Sequence, residues 1–302
     1  MRTKKKSELR NNKREIIAGY LFTVPSFIGF LVFVLIPVIW VIVISFSQYN
    51  VFTGESVFYG LKNYTNIFSD IRSLTALRNT IWYTIFCSVG NTFIGLVLAV
   101  IVNDKLPKKI NVFFRSIYFF PSLVGLTFVA IIWKAFFQTD AGVINYYLNL
   151  LNISRIGWLS NQSYSKMAVL ILDIWKNAGM SMLLILAGLQ NVDRTLLEAG
   201  KIDGANEWKC FWRIIIPVAS PQIFFVLIMN VTGALRIYES IYVLTGGGPG
   251  DSSRSLVMLI AEKGFTSFDY GTAASLSILL LLLIAVVTLI QFIGSRWWVH
   301  YE

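Results

Sequence analysis

Six apolar runs, each longer than about 20 residues, constrain this chain more than any other feature. They cover residues 16–46, 80–102, 116–137, 167–190, 218–243 and 271–294. About 20 helical residues cross the hydrocarbon core of a bilayer, and an α-helix satisfies all its backbone polar groups internally there. The sequence therefore predicts an all-α integral membrane protein with six transmembrane helices.

The domain organisation follows from the same runs. We predict a basic tail at residues 1–15, one transmembrane domain at 16–294, and a short end at 295–302. Only 14% of the residues are charged, against about 25% in soluble domains. Pro25 and Pro37 lie inside the first run, so we expect a kink or a re-entrant start there.

The positive charges predict the orientation. The tail, residues 103–115, residues 191–216 and the carboxyl end hold 16 Lys and Arg, whereas the three other connections hold seven. The positive-inside rule places the richer set in the cytoplasm, so both termini are predicted to be cytoplasmic in a multi-pass membrane protein. The net charge of +10 is not a patch of the kind that binds nucleic acid, and we expect no such partner.

The connection at residues 191–217 carries folding signals of its own. Either Asp193 or a Thr195–Glu198 capping box starts a short helix, and Gly204 allows a left-handed turn at its end. A second helix follows, and Pro217 is expected to open the fifth span. Two interpretations remain open for this hairpin: an amphipathic helix on lipid headgroups, or a docking element for a partner. Its apolar residues are Leu196, Leu197, Ala199, Ile202, Phe211 and Trp212.

The spacing in this loop resembles a known family. Glu198-Ala199-Gly200, Gly204 and Ile216-Pro217 follow the EAA loop of binding-protein-dependent ABC importer permeases, with Gly200 in place of the usual third Ala and Ile216 in place of Leu. Other segments resemble the carbohydrate-uptake branch, the maltose-permease-like sugar and glycerol-phosphate group. They are Trp175-Lys176, Leu186-Ala187-Gly188-Leu189-Gln190 and Thr245-Gly246-Gly247-Gly248-Pro249.

The resemblance implies a fold, partners and a mechanism. It implies a type I ABC importer permease fold whose cytoplasmic EAA helix docks on an ATPase. The partners would be a second permease subunit (a different chain or a second copy), two ATPase copies, and an extracytoplasmic solute-binding protein that delivers a sugar, in particular an oligosaccharide. The residues implied in ATPase coupling are Glu198, Ala199, Gly200, Asp203, Gly204, Ala205 and Phe211.

Polar residues inside the runs are candidates for a substrate cavity, because charges are costly in a membrane. Asp173 with Lys176, and Arg236 with Glu239, are spaced i,i+3. Two interpretations are open for these residues: they form ion pairs within one helix, or they line the cavity. Lys134 and Glu239 lie close enough to the ends of their spans for their charged groups to reach the membrane surface. Amides, charges and aromatic rings suit sugar hydroxyls and ring faces. The predicted cavity residues are Lys176, Asn177, Asn230, Arg236, Glu239 and Tyr242.

Catalysis is not predicted. Gly246-Gly247-Gly248 lacks the Gly-Lys-Ser/Thr continuation of a P-loop, so we expect a turn there, and we expect ATP and Mg²⁺ on the partner ATPases. No cofactor or metal is expected in this chain, whose single histidine is His300. Two alternatives stay open: a glycerol-phosphate-type substrate in the same importer class, and an ion-coupled secondary transporter.

Overall fold

The computed structural model describes residue 15 and residues 18–49, 53–104 and 107–300. The predicted basic tail therefore lies outside the described residues except for residue 15, and the domain boundaries stay predictions. The helices are α1 (Ala18–Ser45), α2 (Lys62–Ser69), α3 (Ile71–Asp104), α4 (Lys108–Leu123), α5 (Leu126–Phe136), α6 (Val143–Leu150), α7 (Gln162–Gln190), α8 (Arg194–Ile202), α9 (Glu207–Leu235), α10 (Glu239–Leu244), α11 (Leu256–Ala261) and α12 (Tyr270–Ser295).

Five of these helices, α1, α3, α7, α9 and α12, are long and apolar enough to cross a membrane. The third predicted run is not one straight helix. It forms α4 and α5, which are bent by 98° relative to each other. Pro121 precedes the break and Gly125 is the N-cap of α5. The described ranges thus contain five spans, or six if the bent pair is one span.

The centre of the bundle is formed by α3, α7 and α9, with α4 packed on α7 and α12 on α1. Buried side chains such as Leu172, Met182 and Ile185 fill the space between them. Small residues allow close approach, which drives helix association in membranes. A Cβ built on Gly95 of α3 would lie 2.6 Å from the Ser181 Cβ of α7.

Pro37 and Pro217 are two of the prolines that lie inside helices. A π-turn precedes each of them, Leu31–Leu35 before Pro37 and Phe211–Ile215 before Pro217. The wider turn accommodates a residue that has no N–H to donate. Over its described residues α1 is one helix rather than a re-entrant one, and the expected kink stays a prediction. Pro217 lies in the first turn of the α-helical segment Ile216–Leu235, as predicted, although the π-turn joins that segment to the preceding residues of α9.

The fifth predicted run also differs. Helix α9 ends at Leu235, and residues 236–238 separate it from α10. Arg236 N–H donates to the Gly233 carbonyl at 3.1 Å, which closes the last turn of α9. Arg236 and Glu239 lie at this break, whereas their spacing in the sequence predicts charges within one span rather than the end of a helix.

A short antiparallel sheet follows α1, with β1 (Ser47–Tyr49) paired to β2 (Ser56–Phe58) in the register Gln48 to Val57. The buried Asn63 amide of α2 donates to the carbonyls of Ser45 and Ser47 at 2.9 and 3.0 Å. These hydrogen bonds fix the turn that leaves the first span.

Asn145 organises the connection between α5 and α7. Its amide donates to the carbonyls of Thr139 and Ile156 at 3.0 and 2.8 Å, and its oxygen accepts from Ile156 N–H and Trp158 Nε1. A Cβ on Gly142 would lie 2.1 Å from the Gln138 carbonyl oxygen. This segment is therefore a folded loop held by one buried amide.

Candidate functional site

The first candidate site is the hairpin formed by α8 and the start of α9. Asp193 is the N-cap of α8, because its carboxylate accepts from Thr195 N–H at 2.9 Å. That hydrogen bond lowers the pKa of Asp193 below its ordinary value. The sequence left two N-caps open, Asp193 and the Thr195–Glu198 capping box, and in the structure Asp193 is the cap. At the other end Gly204 has φ +80°, as predicted, and Ala205 N–H donates to the Gly200 carbonyl at 2.9 Å.

Gly200 lies where α8 rests on α9. A Cβ at this position would be 2.7 Å from Ile214 Cδ1 and 3.7 Å from Cys210 Sγ. An alanine there would displace the Ile214 side chain. This contact gives a physical reason for glycine where the EAA pattern has alanine.

The residues predicted to couple to an ATPase divide into two groups. Glu198, Ala199, Asp203 and Gly204 are exposed, whereas Gly200, Ala205 and Phe211 are partly buried against the bundle. Their role in coupling stays a prediction.

The apolar residues of the hairpin differ in their exposure. Ile202 is 86% exposed and Trp208 is 69% exposed. Leu197 and Phe211 instead line a groove of about 550 Å³ beneath α8. The end of the bundle that carries this hairpin thus presents isolated apolar side chains beside an exposed carboxylate.

The second candidate site is a central cavity of about 450 Å³, enclosed by α3, α5, α7, α9 and α10. Its position follows from the break after α9, which brings residues 236–240 to the wall. Its polar lining residues are Asn91, Asp173, Asn177, Ser181, Asn230, Arg236, Tyr238, Glu239 and Ser240.

Of the two alternatives left open for the charged residues, ion pairs or cavity lining, the structure favours cavity lining for Asp173, Arg236 and Glu239. Among the described residues, neither the Asp173–Lys176 nor the Arg236–Glu239 ion pair forms. The Asp173 carboxylate accepts from the amides of Asn91 and Asn177 at 2.9 and 3.0 Å. Arg236 Nε donates to the Thr232 carbonyl at 3.2 Å.

Glu239 accepts a hydrogen bond from the hydroxyl of Thr127 on α5. Each charge thus takes a partner other than the one three residues away. Contacts between helices, rather than spacing along one helix, decide these partners.

Lys176 has a different position from the one predicted. Its ammonium donates to the carbonyls of Pro121, Ser122 and Val124, with Nζ–O distances of 3.4, 3.3 and 2.8 Å. The last carbonyls of a helix have no intrahelical partner, and a cation there is favourable. Lys176 therefore stabilises the end of α4 at the bend rather than lining the cavity.

Of the other predicted cavity residues, Asn177, Asn230, Arg236 and Glu239 line the wall. Tyr242 does not, but its ring is stacked on that of Tyr238, which does, at a centroid distance of 5.5 Å. Their contact with a substrate stays a prediction.

Asn91, Asp173 and Tyr238 were absent from the predicted cavity set, although the sequence left cavity lining open for Asp173. A polar side chain inside an apolar run was the signal available for Asn91.

An ion-pair network lies at the end of the bundle opposite the hairpin. Arg72 donates to Asp251 at 2.8 Å and to Glu262 at 3.0 Å, and Arg254 contacts the same two carboxylates. The Arg72 hydrogen bond lowers the pKa of Asp251 below its usual value, against partial burial, which raises it. The network fixes the segment that follows the turn at Gly246 and Gly247, whose φ values are +62° and +85°.

Residues 91–299 match the family described as binding-protein-dependent transport system inner membrane component. The chain belongs to this family. The match includes the cavity and the hairpin, and it confirms the resemblance and the permease fold predicted from the sequence.

Curated relatives match this permease over nearly its whole length. The arabinooligosaccharides transport system permease protein AraP of Bacillus subtilis (strain 168) is 36% identical over 276 residues, covering 91% of this chain and 87% of AraP. The trehalose/maltose transport system permease protein MalF of Thermococcus litoralis is 33% identical over 291 residues, covering 94% and 95%.

A solved structure shares the fold of the permease. It is that of a bacterial ABC transporter involved in the import of the acidic polysaccharide alginate, with a TM-score of 0.83 at 22% identity over 96% of this chain and 98% of that one. The chain is thus a multi-pass transmembrane permease subunit of an ATP-binding-cassette importer.

Proposed function

We propose that this permease translocates an oligosaccharide through its central cavity, driven by ATPases that dock on the α8 hairpin. The observation that carries the proposal is the combination of an open cavity with amide and charged side chains in its wall and an exposed, capped hairpin at one end of the same bundle. The sugars named for AraP and MalF, arabinooligosaccharides, trehalose and maltose, support the substrate class.

The partners proposed are a second homologous permease, two copies of a cytoplasmic ATPase and an extracytoplasmic binding protein. ATP and Mg²⁺ are bound by the ATPases. In the proposed orientation the hairpin and both termini are cytoplasmic, which is supported by the distribution of Lys and Arg. The glycine turn and the Arg72 network then face the binding protein.

The hairpin couples the two processes mechanically. Exposed Glu198 lies in the middle of α8, where its carboxylate is available to basic groups of a partner. Gly204, in its left-handed conformation, keeps the end of α8 free of a side chain. Because α9 runs without interruption from the hairpin to the cavity, a displacement of the hairpin moves the cavity wall as a rigid body.

The test is uptake into proteoliposomes that contain the complete importer. Radiolabelled maltose, trehalose, arabinotriose and glycerol 3-phosphate are supplied with the binding protein, and the ATPase is either active or hydrolysis-deficient. We expect ATP-dependent uptake of at least one sugar. Uptake that continues with the hydrolysis-deficient ATPase identifies an ion-coupled transporter instead, and uptake of glycerol 3-phosphate alone overturns the substrate class.

Variants of the hairpin test the coupling step. Glu198→Ala and Gly204→Asp are expected to abolish uptake while the permease still inserts in the membrane. The matched control is Glu207→Ala, because Glu207 is also an exposed carboxylate of the hairpin. Normal uptake in both test variants would contradict the docking role.

A further inference from the structure

The cavity amides share one hydrogen-bonding arrangement. Asn91 and Asn177 both donate their Nδ2 groups to Asp173. Asn230 donates Nδ2 to Thr92 Oγ1 at 3.0 Å and to Ser181 Oγ at 3.1 Å. Each of the three amide nitrogens thus donates at least one hydrogen bond within the protein. Asn230 Oδ1 also accepts from Ser181 Oγ at 3.4 Å, whereas Asn91 Oδ1 accepts no hydrogen bond from the described residues.

Asp173 determines the orientation of two of these amides. Each oxygen of Asp173 accepts from one of these amides, so turning either amide over would lose that hydrogen bond and place two oxygen atoms together. Asp173 lies midway along α7, Asn91 is on α3 and Asn177 is one turn further along α7. One side chain therefore sets the polarity of the wall where α3 meets α7.

The side-chain oxygen of Asn91 lacks a hydrogen-bond donor among the described residues. Asn91 is 3% exposed and lines the cavity, and its Oδ1 is buried without a hydrogen bond from the described residues. An unsatisfied buried acceptor costs free energy, which a donor entering the cavity would recover. A sugar hydroxyl is such a donor.

We propose that Asp173 is a positioning residue that orients Asn91 and Asn177, so that the cavity wall presents acceptor oxygens to the hydroxyl groups of the transported sugar. This inference rests on the proposed function. Asp173 acts through the two amides and makes the cavity selective for hydroxyl donors.

The substitution Asp173→Asn tests this role with little change in volume. An asparagine has one acceptor and one donor group, so one of the two neighbouring amides must turn its oxygen inward. The double variant Asp173→Asn with Asn91→Asp restores the pattern. In that variant the amide introduced at position 173 would donate to the carboxylate introduced at position 91 and accept from Asn177, which leaves a carboxylate oxygen for the cavity. Thr84→Val is the control, because Thr84 is buried on α3, outside the cavity lining, and bonds to its own helix.

The measured quantity is the number of sugar molecules imported per ATP hydrolysed by the complete importer, with maltose, trehalose and arabinotriose as probes. We expect Asp173→Asn to lower this ratio about tenfold, the change that loss of one hydrogen bond to a buried acceptor produces. ATP hydrolysis and thermal stability should stay at wild-type values, and the double variant should recover most of the ratio.

Two results would overturn the inference. One is a wild-type ratio in Asp173→Asn. The other is a defect that the double variant does not relieve and that accompanies a lower melting temperature, since Asp173 would then be structural. Failure of the proposed function gives a different result, because the wild-type importer itself would then show no ATP-dependent uptake of any probe. That result would overturn both the proposed function and the role of Asp173.

Discussion

Gly179 offers a quantitative test of how the bundle is packed. It lies on α7, where the helix touches the backbone of α4. A Cβ at this position would be 1.8 Å from the Tyr118 carbonyl oxygen and 2.6 Å from its carbonyl carbon. Ordinary contact begins near 3.4 Å, so Gly179→Ala must separate the two helices by 1.6 Å. No side-chain rotation relieves this clash, because the atoms on the α4 side belong to the backbone.

The expected loss of stability follows from two terms. Overpacking a filled interior costs about 1–3 kcal/mol. The same separation would carry Lys176 Nζ, three residues earlier on α7, away from the Val124 carbonyl that it now contacts at 2.8 Å. A hydrogen bond to a charged group contributes about 1.5–3 kcal/mol. The total is about 2.5–6 kcal/mol, which corresponds to a fall of roughly 5–20 °C in melting temperature for chains of about 200 residues.

The assay is thermal unfolding of the purified importer in detergent, read by the loss of the intact peak on size-exclusion chromatography. Gly294→Ala is the control, because Gly294 is near the end of α12 and its Cβ would meet nothing within 4 Å. That variant should be neutral or stabilising by about 0.5–1 kcal/mol. Gly95→Ala, with its nearest contacts at 2.6 and 3.0 Å, should fall between the two. A Gly179→Ala permease that melts with the wild type would refute the packing argument.

Two further predictions concern the end of the bundle opposite the hairpin. Asn145→Ala leaves several buried backbone groups unpaired, at a cost of about 1–3 kcal/mol each, so limited proteolysis should cut residues 137–161 faster than in the wild type. The control is Asn149→Ala, because Asn149 is exposed. Equal cleavage of the two variants would argue against the role of Asn145. Because the folded-state pKa of Asp251 is lowered, its contribution to stability is present above its unfolded pKa of about 3.9 and is lost as the pH falls through the folded value. At pH 7 the melting temperature of Asp251→Asn should be lower than that of the wild type. Between pH 7 and pH 3 it should fall less steeply than the wild-type melting temperature does. Parallel plots of melting temperature against pH for the two proteins would contradict this.

The sequence was most informative where its signals are local. The length of an apolar run predicts a membrane helix because the bilayer thickness is fixed, and each of the six runs contains helix over its described residues, although the third and fifth are interrupted. The turn at Gly204 was predictable for the same reason, since only the residue itself and its neighbours determine a left-handed helix end.

Residues of the candidate site were harder to predict because their partners lie on other helices. The spacing of Asp173 and Lys176 suggested an ion pair, yet Asp173 bonds to Asn91 on α3 and Lys176 bonds to carbonyls of the α4–α5 connection. In an apolar environment a polar group bonds to whichever polar partner the packing of the helices places nearest. The spacing of residues along a single helix does not show which residues of other helices will be neighbours.

The sequence alone thus determined that the chain is a helical membrane protein with a structured loop at residues 191–217, because run length and capping residues act over a few positions. The tertiary structure alone decided where the third and fifth runs break, that Gly200 sits against Ile214, and which amides Asp173 orients. Those outcomes depend on contacts between residues tens of positions apart, such as Asn91 and Asp173, which exist only once the helices have packed.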